Sequence, residues 1–193
     1  FVIPTNTFFR TKMQDEYISS QSVQGRFQLK YFKDNIEDLD IMIEESLKKQ
    51  NIMGEEFKDC FGTVMKYPIG TVAKVDYKKK HFYFVAISDV NEYGKPIGQS
   101  FINVGIALES VIEAIMKMGH CDILCIPLMG SGRAAIQEAT KEKVFQETVD
   151  YFLRFDNKIV RKLIISISPK DYLDGTVNCD QIEKYLDYRC EFR

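Results

Sequence analysis

The strongest constraint in this sequence is a continuous apolar run, Ile123-Leu124-Cys125-Ile126-Pro127-Leu128. It is followed at once by Met129-Gly130-Ser131-Gly132-Arg133-Ala134-Ala135-Ile136. A strand without polar alternation has both faces covered, the condition of an inner strand in a parallel α/β sheet. A second such run, Leu163-Ile164-Ile165-Ser166-Ile167, stops at Pro169. Helical patterns stand between and around these strands. Ile36, Leu39, Ile43 and Leu47 recur at spacings of three and four, and Asp34 or Asn35 can cap that helix. Residues 100–118 carry Ile102, Ile106, Val111, Ile115 and Met118 on or near one face, with Gly119 placed to end the helix. A third helix is expected over residues 136–155, its core face bearing Val144, Val149, Phe152 and Phe155, and a last one over residues 180–188. This alternation predicts an α/β sandwich around a mixed, largely parallel central sheet.

Phe1-Val2-Ile3 reads as a short strand ending at Pro4, and residues 10–35 read as polar, irregular loop marked by Ser19, Ser20, Ser22 and Gly25. Residues 71–77 and 82–87 are β-rich and form an expected hairpin, with Lys78-Lys79-Lys80 as its solvated turn. Lys and Arg total 26 against 28 Asp and Glu, a net charge of −2, which argues against a nucleic-acid backbone binder. With 45% hydrophobic residues there is material for a core, so disorder of the bulk of the chain is excluded. Five cysteines without a C-x-x-C and two histidines, His81 and His120, suggest neither a disulfide framework nor a metal site. No apolar run approaches the roughly 20 residues of a membrane span.

The chemistry concentrates in the loop after the first apolar strand. Two glycines and two alanines let the backbone approach a ligand closely, so that N–H groups can converge on an anion. A phosphate or diphosphate is the natural guest, and a tight strand–helix turn is the structural alternative. The loop is not a Walker A motif, because Ala134 follows Arg133 where Lys and Ser or Thr are required. Gly130-Ser131-Gly132-Arg133-Ala134-Ala135 matches G-x-G-x-x-A, yet the next strand comes only near Leu163, too far for a compact dinucleotide unit. A hydrolase elbow would need glycine at Met129. Ser131 therefore suits a phosphate contact better than acyl attack. Asp89, within Ser88-Asp89-Val90-Asn91 after a buried strand, fits either the same ligand edge or an ordinary turn. Asn103 and the pair Glu109 and Glu113 read most simply as helix capping and solvated surface.

Pro127 through Ile136 resembles the phosphate loop of macro domains, the ADP-ribose-binding modules. Phe1 through Asn6 is similar to that family's first strand with its ligand-contacting asparagine, and Ser22-Val23-Gln24-Gly25 to its first glycine-rich loop. Ser166-Ile167-Ser168 would be the late strand beside the adenosine. Ile3 through Phe9, Gly25-Arg26-Phe27 and Pro127 through Arg133 together look most like the macro domain of bacterial Thoeris antiphage effectors.

The resemblance implies an α/β/α sandwich over residues 1–193, one domain cut from a longer chain with a transmembrane segment ahead of it. It places the domain in the cytoplasm, on a protein anchored in the bacterial inner membrane. It implies an ADP-ribose conjugate as ligand, with no further cofactor and no nucleic acid. A TIR-domain enzyme making the signal from NAD would be the functional partner, and copies of the chain could associate. The implied ligand contacts are Asn6, Gly25, Asp89, Leu128, Gly130, Ser131, Gly132, Arg133, Ala134, Ala135 and Ser168. Hydrolytic members carry two asparagines around the first strand and a run of glycines soon after. This chain has Asn6 and Gly25, which favours a sensor over a catalyst. An ADP-ribosyl hydrolase is the main alternative reading, and a nicotinamide-dependent oxidoreductase a weaker one.

Overall fold

The computed structural model describes residues 1–13, 18–59, 62–91, 93, 95–118, 121–132, 136, 139–155 and 159–191. The strands are β1 (Val2–Asn6), β2 (Glu55–Asp59), β3 (Gly62–Lys66), β4 (Val72–Tyr77), β5 (Lys80–Val90), β6 (Pro96–Ile97), β7 (Cys121–Pro127) and β8 (Val160–Ser166). The helices are α1 (Val23–Tyr31), α2 (Ile36–Lys49), α3 (Phe101–Met118), α4 (Lys141–Leu153), α5 (Pro169–Leu173) and α6 (Cys179–Glu191).

Parallel ladders join β1 to β5 and β7 to β8, with β7 packed beside β1. Antiparallel ladders add β4 and the short β6 to β5, and β2–β3 forms a separate hairpin. The β1–β5–β4 sheet is mixed, and β7–β8 is a parallel pair beside it.

Side-chain alternation along β5 explains the layering. Phe82, Phe84 and Ala86 pack with Leu39, Ile43 and Leu47 of α2 and Phe27 of α1. Tyr83, Val85 and Ile87 pack with Val104, Leu108, Val111 and Ile115 of α3. Both faces of the strand are therefore buried, each fully buried large side chain contributing about 1.5–3 kcal/mol. A third cluster docks α4 and α6 through Val144, Phe145, Val149 and Ile182.

Several elements depart from expectation for local reasons. β1 runs through Pro4 to Asn6 rather than ending there. The Phe1 carbonyl accepts from the Tyr83 N–H, which sets the ladder so that odd residues address β5. Pro4, lacking an N–H, then costs β5 no hydrogen bond. Within the expected loop of residues 10–35, α1 begins where the Ser22 hydroxyl accepts from the Gly25 N–H at 3.0 Å. Asn35 stands at the N-cap of α2 but makes no side-chain cap bond. The helix expected from residue 136 starts only at Lys141, capped by Thr140, whose hydroxyl accepts from the Lys143 N–H at 3.2 Å. Neither β7 nor β8 is buried on both faces: Ile123 is 48% exposed while Leu124 and Ile126 pack inward, and Ile164 is 37% exposed while Leu163 and Ile165 pack inward.

The β4–β5 hairpin turns at Lys78 and Lys79, both exposed and left-handed with φ of 48° and 59°. At the other side of β4, α2 covers the open strand edge: Gln50 Nε2 donates to the Val72 carbonyl at 3.0 Å, and the Lys74 N–H donates to Ser46 Oγ at 2.7 Å. Those bonds occupy polar groups that an intruding strand would otherwise pair with.

Candidate functional site

A cavity of about 610 Å³ opens where β1, β5, β7 and β8 end. In sheets with parallel centres, backbone ends and connecting loops converge on that side, which is where ligands bind. Each of the four strands contributes a wall segment, and α1 closes one side.

β1 brings Asn6, which is buried. Its Oδ1 accepts from the Phe8 N–H at 3.0 Å, which fixes the amide's orientation. Among the described residues its Nδ2 has no protein acceptor, so Asn6 offers the cavity a donor. α1 brings Val23, Gln24 and Arg26, held at the wall by the cap at Ser22, whose hydroxyl also donates to the Ser19 carbonyl at 2.7 Å. The Arg26 guanidinium donates to Gln21 Oε1 at 3.0 Å.

The loop after β7 forms the floor from Pro127 to Gly132. Gly130 sits at φ +83°, and a Cβ there would lie 3.0 Å from Ile136 Cδ1 and 3.2 Å from Val104 Cγ2. Both its backbone angle and its packing call for glycine. The Ser131 hydroxyl donates to the Leu128 carbonyl at 2.7 Å, and the Ile136 N–H donates to the Gly130 carbonyl at 2.9 Å. These bonds fold the loop back on itself. Gly132 is exposed, and a Cβ there would meet nothing within 4 Å. Its bareness keeps the floor open.

β8 and α5 bring Ser166, Ser168, Lys170 and Asp171. Asp171 is bound by Lys141 Nζ at 2.5 Å. The charged side chains on the described wall are Arg26, Lys170 and Asp171, and Lys141 offsets the last. The balance is cationic, suited to an anionic guest.

The sequence model of the family described as "Thoeris protein ThsA, Macro domain" matches residues 1–168. The chain belongs to this family. The macro domain also shares its fold with solved structures of the Oceanobacillus iheyensis macrodomain. One with MES bound is 11% identical and covers 100% of this chain and 86% of that one, at a TM-score of 0.60. One with ADP is 10% identical, covers 100% and 92%, and has a TM-score of 0.58. A point mutant with ADPR is 12% identical, covers 98% and 86%, and has a TM-score of 0.58. No curated protein matches the chain.

Of the residues expected at the site of this macro domain, Asn6, Leu128, Gly130, Ser131, Gly132 and Ser168 come together on one cavity. Arg133, Ala134 and Ala135 lie outside the described residues. Gly25 lies behind the wall, in the first turn of α1, where a Cβ would collide with the Ser19 carbonyl. Asp89 is not on the wall. Its carboxylate accepts from Thr7 Oγ1 at 3.0 Å, the Val90 N–H at 2.8 Å and Lys66 Nζ at 2.5 Å. Burial pushes that carboxyl up, but the bonds from Lys66, Val90 and Thr7 outweigh it and hold it below the ordinary carboxylate range. Asp89 thus ties the end of β1 to β5 and β3 beside Asn6. Asn91 is used locally, accepting from the Tyr93 and Lys95 N–H groups at 3.0 Å each. Asn103 Nδ2 donates to the Gly98 carbonyl at 2.8 Å, and Glu113 pairs with Lys117 at 3.5 Å.

Sequence reasoning missed Gln24, Arg26, Lys170 and Asp171. The signal for the first two was Ser22 as an N-cap ahead of Val23 and Phe27, an i, i+4 pair. For the last two it was Pro169 at the first position of a helix directly after a strand.

Proposed function

We propose that this macro domain binds an ADP-ribose-type nucleotide and acts as the sensor of an antiphage defence effector. The diphosphate would lie on the Gly130–Gly132 floor, the adenosine toward Ser166–Asp171, and the distal ribose with any extension toward Asn6 and α1. What carries the reading is the cavity itself: about 610 Å³ across the carboxyl ends of four strands, with a bare glycine-containing loop at its centre. That volume falls within the range typical of nucleotide-sized ligands. Family membership and the ADPR and ADP complexes of the Oceanobacillus macrodomain, which has the same fold, support the same ligand class.

In the fuller reading, the signal is an ADP-ribose conjugate made from NAD by a TIR enzyme. Residues 1–193 would then be one cytoplasmic domain of an effector anchored in the inner membrane, with copies associating when the signal binds. No described helix is long and apolar enough to cross a membrane. Holding, not turning over, is the favoured role. The carboxylate on the described wall, Asp171, is engaged by Lys141 and is a poor candidate to activate water.

Ligand at 100 times its dissociation constant would stabilise the domain by about 2.7 kcal/mol. A switch needs more, since the ligand must prefer one assembly over another to shift between them. Parallel calorimetry with ADP-ribose, NAD and an amino-acid conjugate of ADP-ribose tests the reading, with mass measured before and after ligand. The sensor reading expects tightest binding of the conjugate, changed assembly and no turnover. Multiple-turnover release of ADP-ribose from a modified protein would instead make the domain a hydrolase.

A further inference from the structure

We infer that Gln24 determines specificity, selecting nucleotides that carry a hydrogen-bond donor beyond the diphosphate. The inference rests on the nucleotide reading above and adds the chemistry of its distal end.

Gln24 lies on the cavity wall in the first turn of α1 and is only 5% exposed. Its Nε2 donates to the Arg10 carbonyl at 2.7 Å, so the amide cannot flip without losing that bond. With Nε2 committed to Arg10, Oε1 is the amide atom left for a ligand, and no described residue donates to it. A buried amide with one end fixed and the other unsatisfied is a preorganised acceptor. Asn6 is arranged with the opposite polarity, its Oδ1 taken by the Phe8 N–H and its Nδ2 available. Thr5 lines the same cavity and has a buried hydroxyl without a partner among the described residues.

The two amides lie on β1 and α1, on one side of the Gly130–Gly132 floor, and β8 and α5 lie on the other. A diphosphate on the floor therefore carries its distal substituent to Asn6 and Gln24. That substituent must offer a donor to Gln24 Oε1, either a sugar hydroxyl or the N–H of an attached amine. A ligand ending at the diphosphate leaves the acceptor unmet. An amide also neither takes nor gives a proton near neutrality, so this contact recognises and does not activate water.

Calorimetry of wild type, Gln24→Leu and Gln24→Glu against ADP, ADP-ribose and an amine conjugate of ADP-ribose tests this. Wild type is expected to prefer ADP-ribose over ADP at least tenfold, as a lost buried hydrogen bond implies. In Gln24→Leu that preference should fall toward unity with ADP affinity retained. Gln24→Glu keeps an acceptor oxygen but loses the bond to Arg10. It should weaken both ligands through its charge while keeping the preference. The conjugate identifies the donor: a further gain that Gln24→Leu abolishes assigns it to the amine, and no gain assigns it to the sugar.

Equal loss of preference in the leucine and glutamate variants would make Gln24 a helix anchor and overturn the inference, as would an unchanged preference in Gln24→Leu. Wild type that binds ADP and ADP-ribose equally refutes this inference alone. Wild type that binds neither refutes the nucleotide reading as well. Should Gln24→Leu fail to fold, the wild-type ratio and the glutamate variant still decide.

Discussion

Replacing Gly132 with valine separates ligand approach from folding, because the site's two described glycines have opposite structural demands. At Gly132 the backbone is outside the left-handed region and an added Cβ meets nothing within 4 Å, so the fold tolerates a side chain. At Gly130 the φ of +83° and the 3.0 Å approach of Ile136 Cδ1 both oppose one. Gly130→Ala should therefore cost about 1–2 kcal/mol from left-handed strain alone. In a domain of this size that lowers Tm by roughly 2–8 °C. Gly132→Val should leave Tm within the roughly 0.5 kcal/mol scatter of surface changes. Its branched side chain would instead stand over the floor on which the diphosphate lies. Losing one charge-assisted loop contact costs about 1.5–3 kcal/mol, or roughly 10- to 150-fold in affinity. Scanning calorimetry and titration of ADP-ribose on both variants read the two effects apart. A folded Gly132→Val protein with wild-type affinity would refute the placement of the diphosphate.

Other expected outcomes follow from single contacts. Asp89→Ala removes the bonds to Thr7, Val90 and Lys66, and should lose about 2 kcal/mol in chemical denaturation. Because the folded Asp89 carboxyl is held down, its contribution is present above the unfolded value of about 3.9 and is lost as pH falls through the folded one. The variant should show a shallower acid limb. The Tyr185 hydroxyl is pushed up to about 12, first by burial and then by its 2.5 Å bond to Asp150. Its stabilisation is complete below the unfolded value of about 10 and declines between about 10 and 12. Tyr185→Phe should cost about 1 kcal/mol at neutral pH and flatten that alkaline decline. Gly25→Ala should destabilise by about 1–3 kcal/mol in urea titration, since its Cβ meets the rigid Ser19 carbonyl.

The parts of the fold legible in the sequence are those whose apolar residues are continuous or strictly periodic. β7 shows as an unbroken apolar run although one face alone is buried, Leu124 and Ile126 packing against α3 while Ile123 is exposed. α2 shows because Leu39, Ile43 and Leu47 repeat on one face. α1 was hidden because its inward residues include Gln24 and Gln28, whose amides bond to the carbonyls of Arg10 and Thr11. Polar side chains at buried positions erase the apolar period while still packing the helix. The β2–β3 hairpin was hidden by its exposure, since Glu55, Glu56, Gly62 and Thr63 face solvent and leave no buried stripe. At the site, loop residues were legible because closeness to a ligand demands small side chains, a demand visible in composition. Asp89 could not be placed so, because a carboxylate spent on three neighbours and one open to a ligand look alike in sequence. The delayed start of α4 was equally invisible, with Thr140 supplying the cap that Ile136 cannot.

The most direct test of the central claim is a crystal structure of the domain with ADP-ribose. Diphosphate oxygens are expected within about 3 Å of backbone N–H groups of the Gly130–Gly132 loop. Adenosine is expected toward Ser168 and the distal ribose toward Asn6 and Gln24. Nucleotide bound outside the cavity, or bound inside it with the diphosphate away from that loop, would contradict the claim.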